Sequence, residues 1–241
     1  MSGPSTPRGP FARIGRALFL VVAALVACML AWVLWIAAHI GWYRYYPPGE
    51  TAFMAERMAE ARAKNSKATL RYRWVPYPRI SANLKRAMVV AEDAKFVDHD
   101  GFDWDGIQHA LDKNLRKGQI VAGGSTITQQ LAKNLFLSPE RSFWRKGAEA
   151  VITVLLEAML PKRRILELYL NVIEWGNGVF GAESAAQRYF GVPAAELSAE
   201  QAARLAAMTP SPRLYERRPD SAYLAGRTST ILARMPAAVV P

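Results

Sequence analysis

Residues 123–134 read Gly-Gly-Ser-Thr-Ile-Thr-Gln-Gln-Leu-Ala-Lys-Asn, and they combine a helix start with a dense set of uncharged hydrogen-bonding groups. Apolar side chains recur every four residues from Ile127, which predicts a helix with one buried side. Ser125 or Thr126 can cap this helix, and Gln129 follows Thr126 by three residues, as in a capping box. Polar groups beside the free N–H groups of a helix start suit a polyhydroxylated or phosphorylated ligand. An ordinary capped helix with a polar face would have the same composition.

A run of 24 largely apolar residues, Ala17 to Ile40, lies nearer the N-terminus. At roughly 1.5 Å per residue, a helix of this length crosses the hydrocarbon core of a bilayer. The run is longer than the apolar core of a cleaved signal peptide, so we predict a retained membrane anchor. Arg8, Arg13 and Arg16 precede it and no acidic residue does, which places the N-terminus in the cytoplasm and residues 41–241 outside.

The chain is basic, with a net charge of +11, of which residues 41–241 contribute +8 from 28 basic and 20 acidic residues. A basic domain held at a bilayer suits anionic headgroups or a phosphorylated lipid. Its position outside the cytoplasm argues against nucleic acid. The one cysteine, Cys28, lies in the apolar run, so we expect no disulfide in the outer domain. With three histidines and no clustered thiols, a structural zinc site is not expected.

Helical patterns fill the chain from Ser81 onward, and no run shows convincing strand alternation. We therefore predict that the outer domain is mainly all-α. The expected helix signals are a cap at Ser81, a start at Ser138-Pro139, a helix over Lys162–Glu174 and a capping box at Ser198. The predicted divisions are a basic cytoplasmic tail (1–16), a transmembrane helix (17–40), a membrane-proximal connector (41–75) and the outer domain (76–235).

Residues 92–103, Glu-Asp-Ala-Lys-Phe-Val-Asp-His-Asp-Gly-Phe-Asp, contain five carboxylates. Carboxylates this close repel one another, so some must be paired, exposed or functional. Glu92 follows three apolar residues at the predicted end of a helix, a position that suits a general base. A solvated turn with an aspartate cap is the alternative interpretation of these residues.

Arg145, Lys146 and Glu149 form a second charged group, on the helix predicted to follow Ser138. Residues three or four apart share one side of a helix, so two cations flank one carboxylate. Any exposed helix can carry such a group, and by itself it indicates no function.

Together these segments resemble the motifs of the peptidoglycan glycosyltransferases (glycosyltransferase family 51). Residues 92–101 fit that family's first motif, Glu-Asp-x-x-Phe-x-x-His-x-Gly, residues 123–134 its second, and Arg145–Glu149 its third, Arg-Lys-x-x-Glu. Two weaker matches follow within residues 164–212. The resemblance covers Pro76 to Pro219 and implies a lysozyme-like glycosyltransferase domain behind a single N-terminal transmembrane helix. No Ser-x-x-Lys or Lys-Thr-Gly occurs, so we expect the monofunctional form without a transpeptidase module.

The resemblance implies polymerisation of lipid II into β-1,4 glycan strands with release of undecaprenyl pyrophosphate, in one displacement that inverts the anomeric centre. It implies Glu92 as the general base. Glu149 would help the pyrophosphate leave, either through a divalent cation or by ordering the surrounding cations. Mg2+ or Mn2+ near Glu149 is the candidate metal, and no organic cofactor is expected. The implied substrate-binding residues are Ser125, Thr126, Gln129, Gln130, Lys133, Asn134, Arg141, Arg145 and Lys146.

The implied partners are lipid II, the growing glycan on its pyrophosphate lipid, the membrane, and other cell-wall synthesis or division proteins. The implied location is the bacterial inner membrane, crossed once, with the catalytic domain in the periplasm. Phe136, Phe143 and Trp144 flank the basic group and are candidates for either bilayer contact or the core.

Two alternative functions stay open at this level. One is a membrane-anchored lytic glycosidase, which would need a carboxyl pair around one bond and no cations for its neutral leaving group. The other is a catalytically silent cell-wall scaffold, which would not need Glu92 and Glu149.

Overall fold

The computed structural model describes residues 10–119, 123–138 and 142–241, in two compact units that meet between Trp42 and Tyr43. Helix α1 (Pro10–Tyr43) forms the described part of the first unit. Its segment Ile14–Tyr43 is long and apolar enough to cross a membrane, by length and composition. This confirms the predicted apolar N-terminal helix and is compatible with a single membrane anchor. Arg8 and the side chain of Arg13, on which the predicted orientation rests, lie outside the described part.

The second unit is mainly helical, as predicted. Its described helices are α2 (Ala52–Lys64), α3 (Ala82–Glu92), α4 (Trp104–Lys117), α5 (Ile127–Phe136), α6 (Phe143–Met159), α7 (Lys162–Val172), α8 (Ala182–Phe190), α9 (Ala199–Met208), α10 (Pro212–Arg217) and α11 (Ala222–Arg234). Short 3-10 turns lie at Tyr77–Arg79, Ala194–Glu196 and Met235–Ala237.

A small sheet, which the sequence did not predict, joins three short strands. They are β1 (Arg71–Tyr72), β2 (Glu174–Gly176) and β3 (Val179–Phe180), with β3 in the middle, parallel to β1 and antiparallel to β2. Strands of two or three residues are too short to show an alternating pattern. Gly178 turns the chain between β2 and β3 at φ +71°, where a Cβ would lie 2.8 Å from the Thr69 carbonyl oxygen. The close approach of this turn to the segment before β1 therefore requires glycine.

Helix α7 lies at the centre of the core. The side chains from Ile165 to Val172 are all buried, as expected for a helix segment that is surrounded by other elements. Its buried Asn171 accepts a 2.9 Å hydrogen bond from Val75 N and donates one to Val75 O, which satisfies backbone groups of the segment after β1. Helix α5 packs against α6 and α7, and α3 packs against α9. The core thus fixes the helices that carry the charged residues singled out in the sequence.

Most predicted helix starts are confirmed, and one is wrong. Ser81 caps α3, and Ser198 forms a capping box with Gln201. Helix α6 begins at Phe143 with Ser142 as its cap, rather than at Ser138-Pro139; Pro139 itself lies outside the described residues. The Ser142 hydroxyl accepts a 3.1 Å hydrogen bond from Arg145 N. The capping hydrogen bond thus forms one turn later in the chain than expected.

Candidate active site

Glu92 is the last residue of α3, and groups from two distant parts of the chain hold its carboxylate. Oε2 accepts a 2.8 Å hydrogen bond from Gln130 Nε2 on α5, and Oε1 accepts a 2.5 Å bond from the hydroxyl of Thr209, which follows α9. A guanidinium nitrogen of Arg227 on α11 lies 3.9 Å from the same Oε1. The Glu92 side chain is 13% exposed. A carboxylate oriented through both oxygens and still open to solvent is able to take a proton from a bound hydroxyl.

The amide of Gln130 is oriented in turn by Tyr169 on α7, whose hydroxyl donates to Gln130 Oε1 at 3.1 Å. Tyr169 is fully buried, and burial raises its pKa well above the ordinary value, with the charges of Glu92 and Asp93 acting in the same direction. The phenol therefore stays protonated and remains a donor. This directs the Gln130 oxygen toward Tyr169 and its NH2 group toward Glu92.

Several other residues of the first charged segment have structural contacts. Asp93 Oδ1 lies 2.9 Å from His99 Nε2, and Asp93 Oδ2 accepts a 3.0 Å hydrogen bond from Ile127 N, the first residue of α5. Phe96 is fully buried in the core. Asp103 caps α4 through Gly106 N, as the alternative interpretation of this segment expected. Asp93 thus joins the end of α3 to the start of α5 and sets the position of Glu92 beside Gln130.

We expect Asp93→Ala to lower the free energy of unfolding by about 1–3 kcal/mol, because it leaves the buried Ile127 N–H without its acceptor. Urea unfolding of the full chain in detergent micelles measures this loss. Asp220→Ala, which removes an exposed aspartate, is the matched control and is expected to leave the midpoint unchanged. Equal midpoints for the two variants would contradict the role of Asp93.

The stretch from Gly123 to Asn134 begins α5 with the predicted capping box. Thr126 N donates to Gln129 Oε1 at 3.0 Å, and Gln129 N donates to Thr126 Oγ1 at 3.2 Å. The Thr126 hydroxyl also donates to Gly101 O at 2.7 Å. Thr126 and Gln129 are both buried, so the hydrogen bonds between them shape the helix start. Their contact with substrate stays a prediction.

Helix α6 places two cations around a buried carboxylate, as the residue spacing predicted. Arg145 Nη1 donates to Glu149 Oε2 at 3.0 Å, and Lys146 Nζ donates to Glu149 Oε1. Glu149 is 4% exposed, whereas the Lys146 side chain is about half exposed. Arg145 Nε is buried and has no hydrogen-bond partner among the described residues, so it is available to an acceptor on a ligand. Arg141, the other predicted cation of this group, lies outside the described residues.

Lys133 extends from α5 toward the same group. Burial lowers the pKa of its ammonium, while the nearby carboxylate of Glu149 acts in the opposite direction. Its Nζ lies 5.7 Å from the centroid of the Phe53 ring, so the side chain is supported by α2. A desolvated cation of this kind interacts strongly with an anion that reaches it.

Two adjoining cavities gather these residues. The smaller, of about 180 Å³, contains Glu92, and the larger, of about 440 Å³, contains the cations; Ser125 lines both. The predicted residues that line the larger cavity are Ser125, Gln129, Gln130, Lys133, Arg145, Lys146 and Glu149. Thr126 lines the smaller cavity. Asn134 lines neither, and its amide donates to Gln130 O at 2.7 Å.

The surroundings of Glu149 bear on its two predicted roles, binding of a metal ion or ordering of the cations beside it. Within the described residues, no group of three histidine, cysteine, aspartate or glutamate side chains is placed to hold one. Both Glu149 oxygens already accept hydrogen bonds from cations. Of the two roles that the sequence left open for Glu149, this geometry supports the ordering of Arg145 and Lys146.

Several residues of the site were not predicted from the sequence. Thr209 belongs to the weakest motif match, and nothing in the sequence indicated its contact with Glu92. Phe53 and Arg57 on α2 line the larger cavity, and Arg227 approaches Glu92. They come from helices outside the motifs, so only their positions in space indicate a role.

Comparison with known proteins places this geometry in context. Residues 59–236 match the family model described as transglycosylase. A protein of Dechloromonas aromatica (strain RCB) is 58% identical over 228 residues, which are 95% of this chain and 99% of the relative. A protein of Laribacter hongkongensis (strain HLHK9) is 59% identical over 220 residues, 91% of this chain and 96% of the relative. Each of these two relatives is named biosynthetic peptidoglycan transglycosylase.

Proposed function

This chain belongs to the biosynthetic peptidoglycan transglycosylases, a family of glycosyltransferases with a lysozyme-like domain, and we propose that it polymerises lipid II into β-1,4 glycan strands and releases undecaprenyl pyrophosphate. The observation that carries this proposal is the pair of adjoining cavities, one with Glu92 and one with the cations, that share Ser125. A transfer from a pyrophosphate donor to a hydroxyl acceptor needs a base on one side of the anomeric carbon and positive charge on the other.

The proposed reaction is a single displacement. The acceptor is lipid II, whose glucosamine 4-hydroxyl lies in the smaller cavity and gives its proton to Glu92. Its oxygen then forms a bond to the anomeric carbon of the donor, the growing chain on its pyrophosphate lipid. The bond from that carbon to the pyrophosphate oxygen breaks, and the α-linked donor becomes a β-linked polymer.

The pyrophosphate of the donor is proposed to lie in the larger cavity. Lys133, Arg145 and Lys146 line that cavity, and negative charge develops on the leaving oxygen as the bond breaks. Fixed cations stabilise such charge most where water is excluded. Glu149 holds Arg145 and Lys146 through its two oxygens, which limits their freedom before substrate binds. Arg141 is proposed to add a further cation, and Mg2+ or Mn2+ on the pyrophosphate oxygens stays a proposal.

Membrane attachment suits these substrates because both carry lipid tails. We propose that α1 anchors the chain in the bacterial inner membrane with its N-terminus in the cytoplasm and residues 41–241 in the periplasm. Phe143 is 96% exposed and Trp144 is 91% exposed, and both belong to the α6 helix that carries the cations. Adjacent exposed aromatic side chains favour bilayer contact over a place in the core. Phe136 is only partly exposed.

An assay with labelled lipid II tests the proposed function. The full-length protein in detergent is expected to convert lipid II into polymer and to leave preformed glycan strands intact. Release of short sugars from preformed strands would instead indicate a lytic glycosidase. No reaction in either test would indicate a scaffold.

Thr209→Val is expected to slow polymerisation about tenfold, because it removes a hydrogen bond to a charged carboxylate without changing the size of the side chain much. Thr209→Ser keeps the hydroxyl and is the matched control, expected to stay near the wild-type rate. The measurement is turnover of labelled lipid II at saturating substrate. Equal losses in both variants would show that the methyl group, and not the hydrogen bond, matters at this position.

A further inference from the structure

A further cavity, of about 610 Å³, lies against the C-terminal half of α2, beyond the α2 residues Phe53 and Arg57 that line the active-site cavity. Its walls are the C-terminal half of α2, the residues that follow it up to β1, the turn between β2 and β3, the end of α8, and α10. It contains neither Glu92 nor any of the residues proposed to bind pyrophosphate. The family motifs leave its lining unexplained.

This groove is strongly basic. Its lining includes two carboxylates, Glu60 and Glu216, and six cations: Lys64, Lys67, Arg71, Arg188, Arg213 and Arg217. Arg188 lies 3.7 Å from Glu216, and Arg213 lies 3.4 Å from Glu60. In the part of the chain that the structure describes, no carboxylate lies within ion-pair distance of the other four. An unneutralised row of this kind attracts anions.

A charged wall separates the groove from the larger cavity of the active site. Arg57 lines the active-site cavity, and Arg213 lines the groove. Both lie near the same two carboxylates: Arg213 Nε is 2.5 Å from Glu174 and Arg57 Nε is 3.6 Å from it, and Arg57 Nη1 is 2.9 Å from Glu60. The groove therefore begins one side-chain layer from the proposed donor pyrophosphate. Arg213 Nη2 is buried without a hydrogen-bond partner in the described chain, so a donor at this wall is still free.

We propose that this groove binds the carboxylates of the peptide stems on the growing glycan strand and so holds the strand between successive additions. This inference rests on the proposed function, which makes a polymer with anionic side chains beside the groove. Lys64, Lys67 and Arg71 are exposed, and single contacts between exposed charges are weak. A strand presents a stem on successive disaccharides, so several weak contacts act at once and raise the overall affinity.

The test is a triple variant, Lys64→Glu, Lys67→Glu and Arg71→Glu, in the full-length protein in detergent micelles. The side chains whose charge is reversed are exposed, so folding is expected to be unaffected. The matched control, Arg79→Glu, Arg86→Glu and Arg234→Glu, reverses three exposed arginines that line neither the groove nor the two active-site cavities. We expect the groove variant to bind peptide-bearing glycan strands about tenfold more weakly than wild type and to make polymer of about half the mean length. The control is expected to match wild type in both measurements.

Two further arms, with peptide-free strands and with phosphatidylglycerol, make the outcome decisive. Strands stripped of their peptides are expected to bind wild type as weakly as intact strands bind the groove variant. Equal binding of stripped and intact strands to wild type, or unchanged polymer length in the groove variant, would overturn the proposal. Displacement of bound strands by phosphatidylglycerol in the micelles, but not by an excess of peptide-bearing strands, would also overturn it. That result would identify a headgroup site. If wild type itself makes no polymer, the proposed function fails; if it makes polymer and the variant matches it, only the groove assignment fails.

Discussion

Glu92→Gln is expected to lower the polymerisation rate by about 10²–10⁴-fold, the range associated with removal of a general base. The amide has the size of the carboxylate but cannot accept the proton of the acceptor hydroxyl. Its oxygen can still accept from Gln130 Nε2, and the Thr209 hydroxyl can rotate to accept from its NH2 group. The local hydrogen bonds are therefore kept while the chemistry is lost. The measurement is the initial rate of polymer formation from labelled lipid II.

Two comparisons make the Glu92 prediction specific. Glu196→Gln removes an exposed glutamate and is expected to leave the rate unchanged. The unfolding midpoint of Glu92→Gln is expected to stay close to that of wild type. If Glu92→Gln polymerises lipid II at the wild-type rate, another group removes the proton and the assignment is wrong.

Lys133→Ala is expected to lower the turnover number by about 10²–10³-fold, as does loss of one donor at a site of developing negative charge. Lys133 is the cation of the larger cavity that comes from α5, whereas Arg145 and Lys146 come from α6. Moving either of those two into its place would break an ion pair, because both are paired with Glu149. The loss is expected in turnover more than in KM, because the charge on the leaving oxygen grows in the transition state.

Lys133→Arg and Lys113→Ala are the companion variants for this prediction. Lys133→Arg keeps the positive charge and is expected to recover part of the turnover. Lys113→Ala removes an exposed lysine of α4 and is expected to be neutral. Full activity in Lys133→Ala would exclude this lysine from the phosphate site, and an equal loss in Lys133→Arg would indicate that the shape of the side chain matters more than its charge.

The two variants also separate the two cavities. If Glu92 acts on the acceptor and Lys133 on the leaving group, each variant is deficient in a different half of the same displacement. Effects of groups that act in one step are not additive, so the double variant is expected to lose less than the product of the two single losses. That comparison tests whether the cavities that share Ser125 serve one reaction.

Local features of this protein were readable from the sequence alone. The apolar run that forms α1, the Ser81 cap and the capping boxes at Thr126 and Ser198 depend on residues close together in the chain, and all are present. The pairing of Arg145 and Lys146 with Glu149 follows from helical spacing and is also present. The family followed from the motif strings, and the comparisons confirm it.

Other features depend on packing between distant segments, and a local sequence pattern does not predict them. Both Ser138 and Ser142 offered a cap for α6, and nothing local favoured Ser142, which is the cap observed; the three strands are too short for any periodicity. Gln130 and Thr209 meet the two oxygens of Glu92 from 38 and 117 residues away, because α3 packs on α9 and α5 packs on the central α7. The basic groove likewise arises only when the residues after α2 and those of α10 come together. The sequence by itself determined the local elements, the family and the candidate groups for the chemistry, and the tertiary structure decided which of those groups face one another, because hydrogen bonds and charges act over a few ångströms in space and not along the chain.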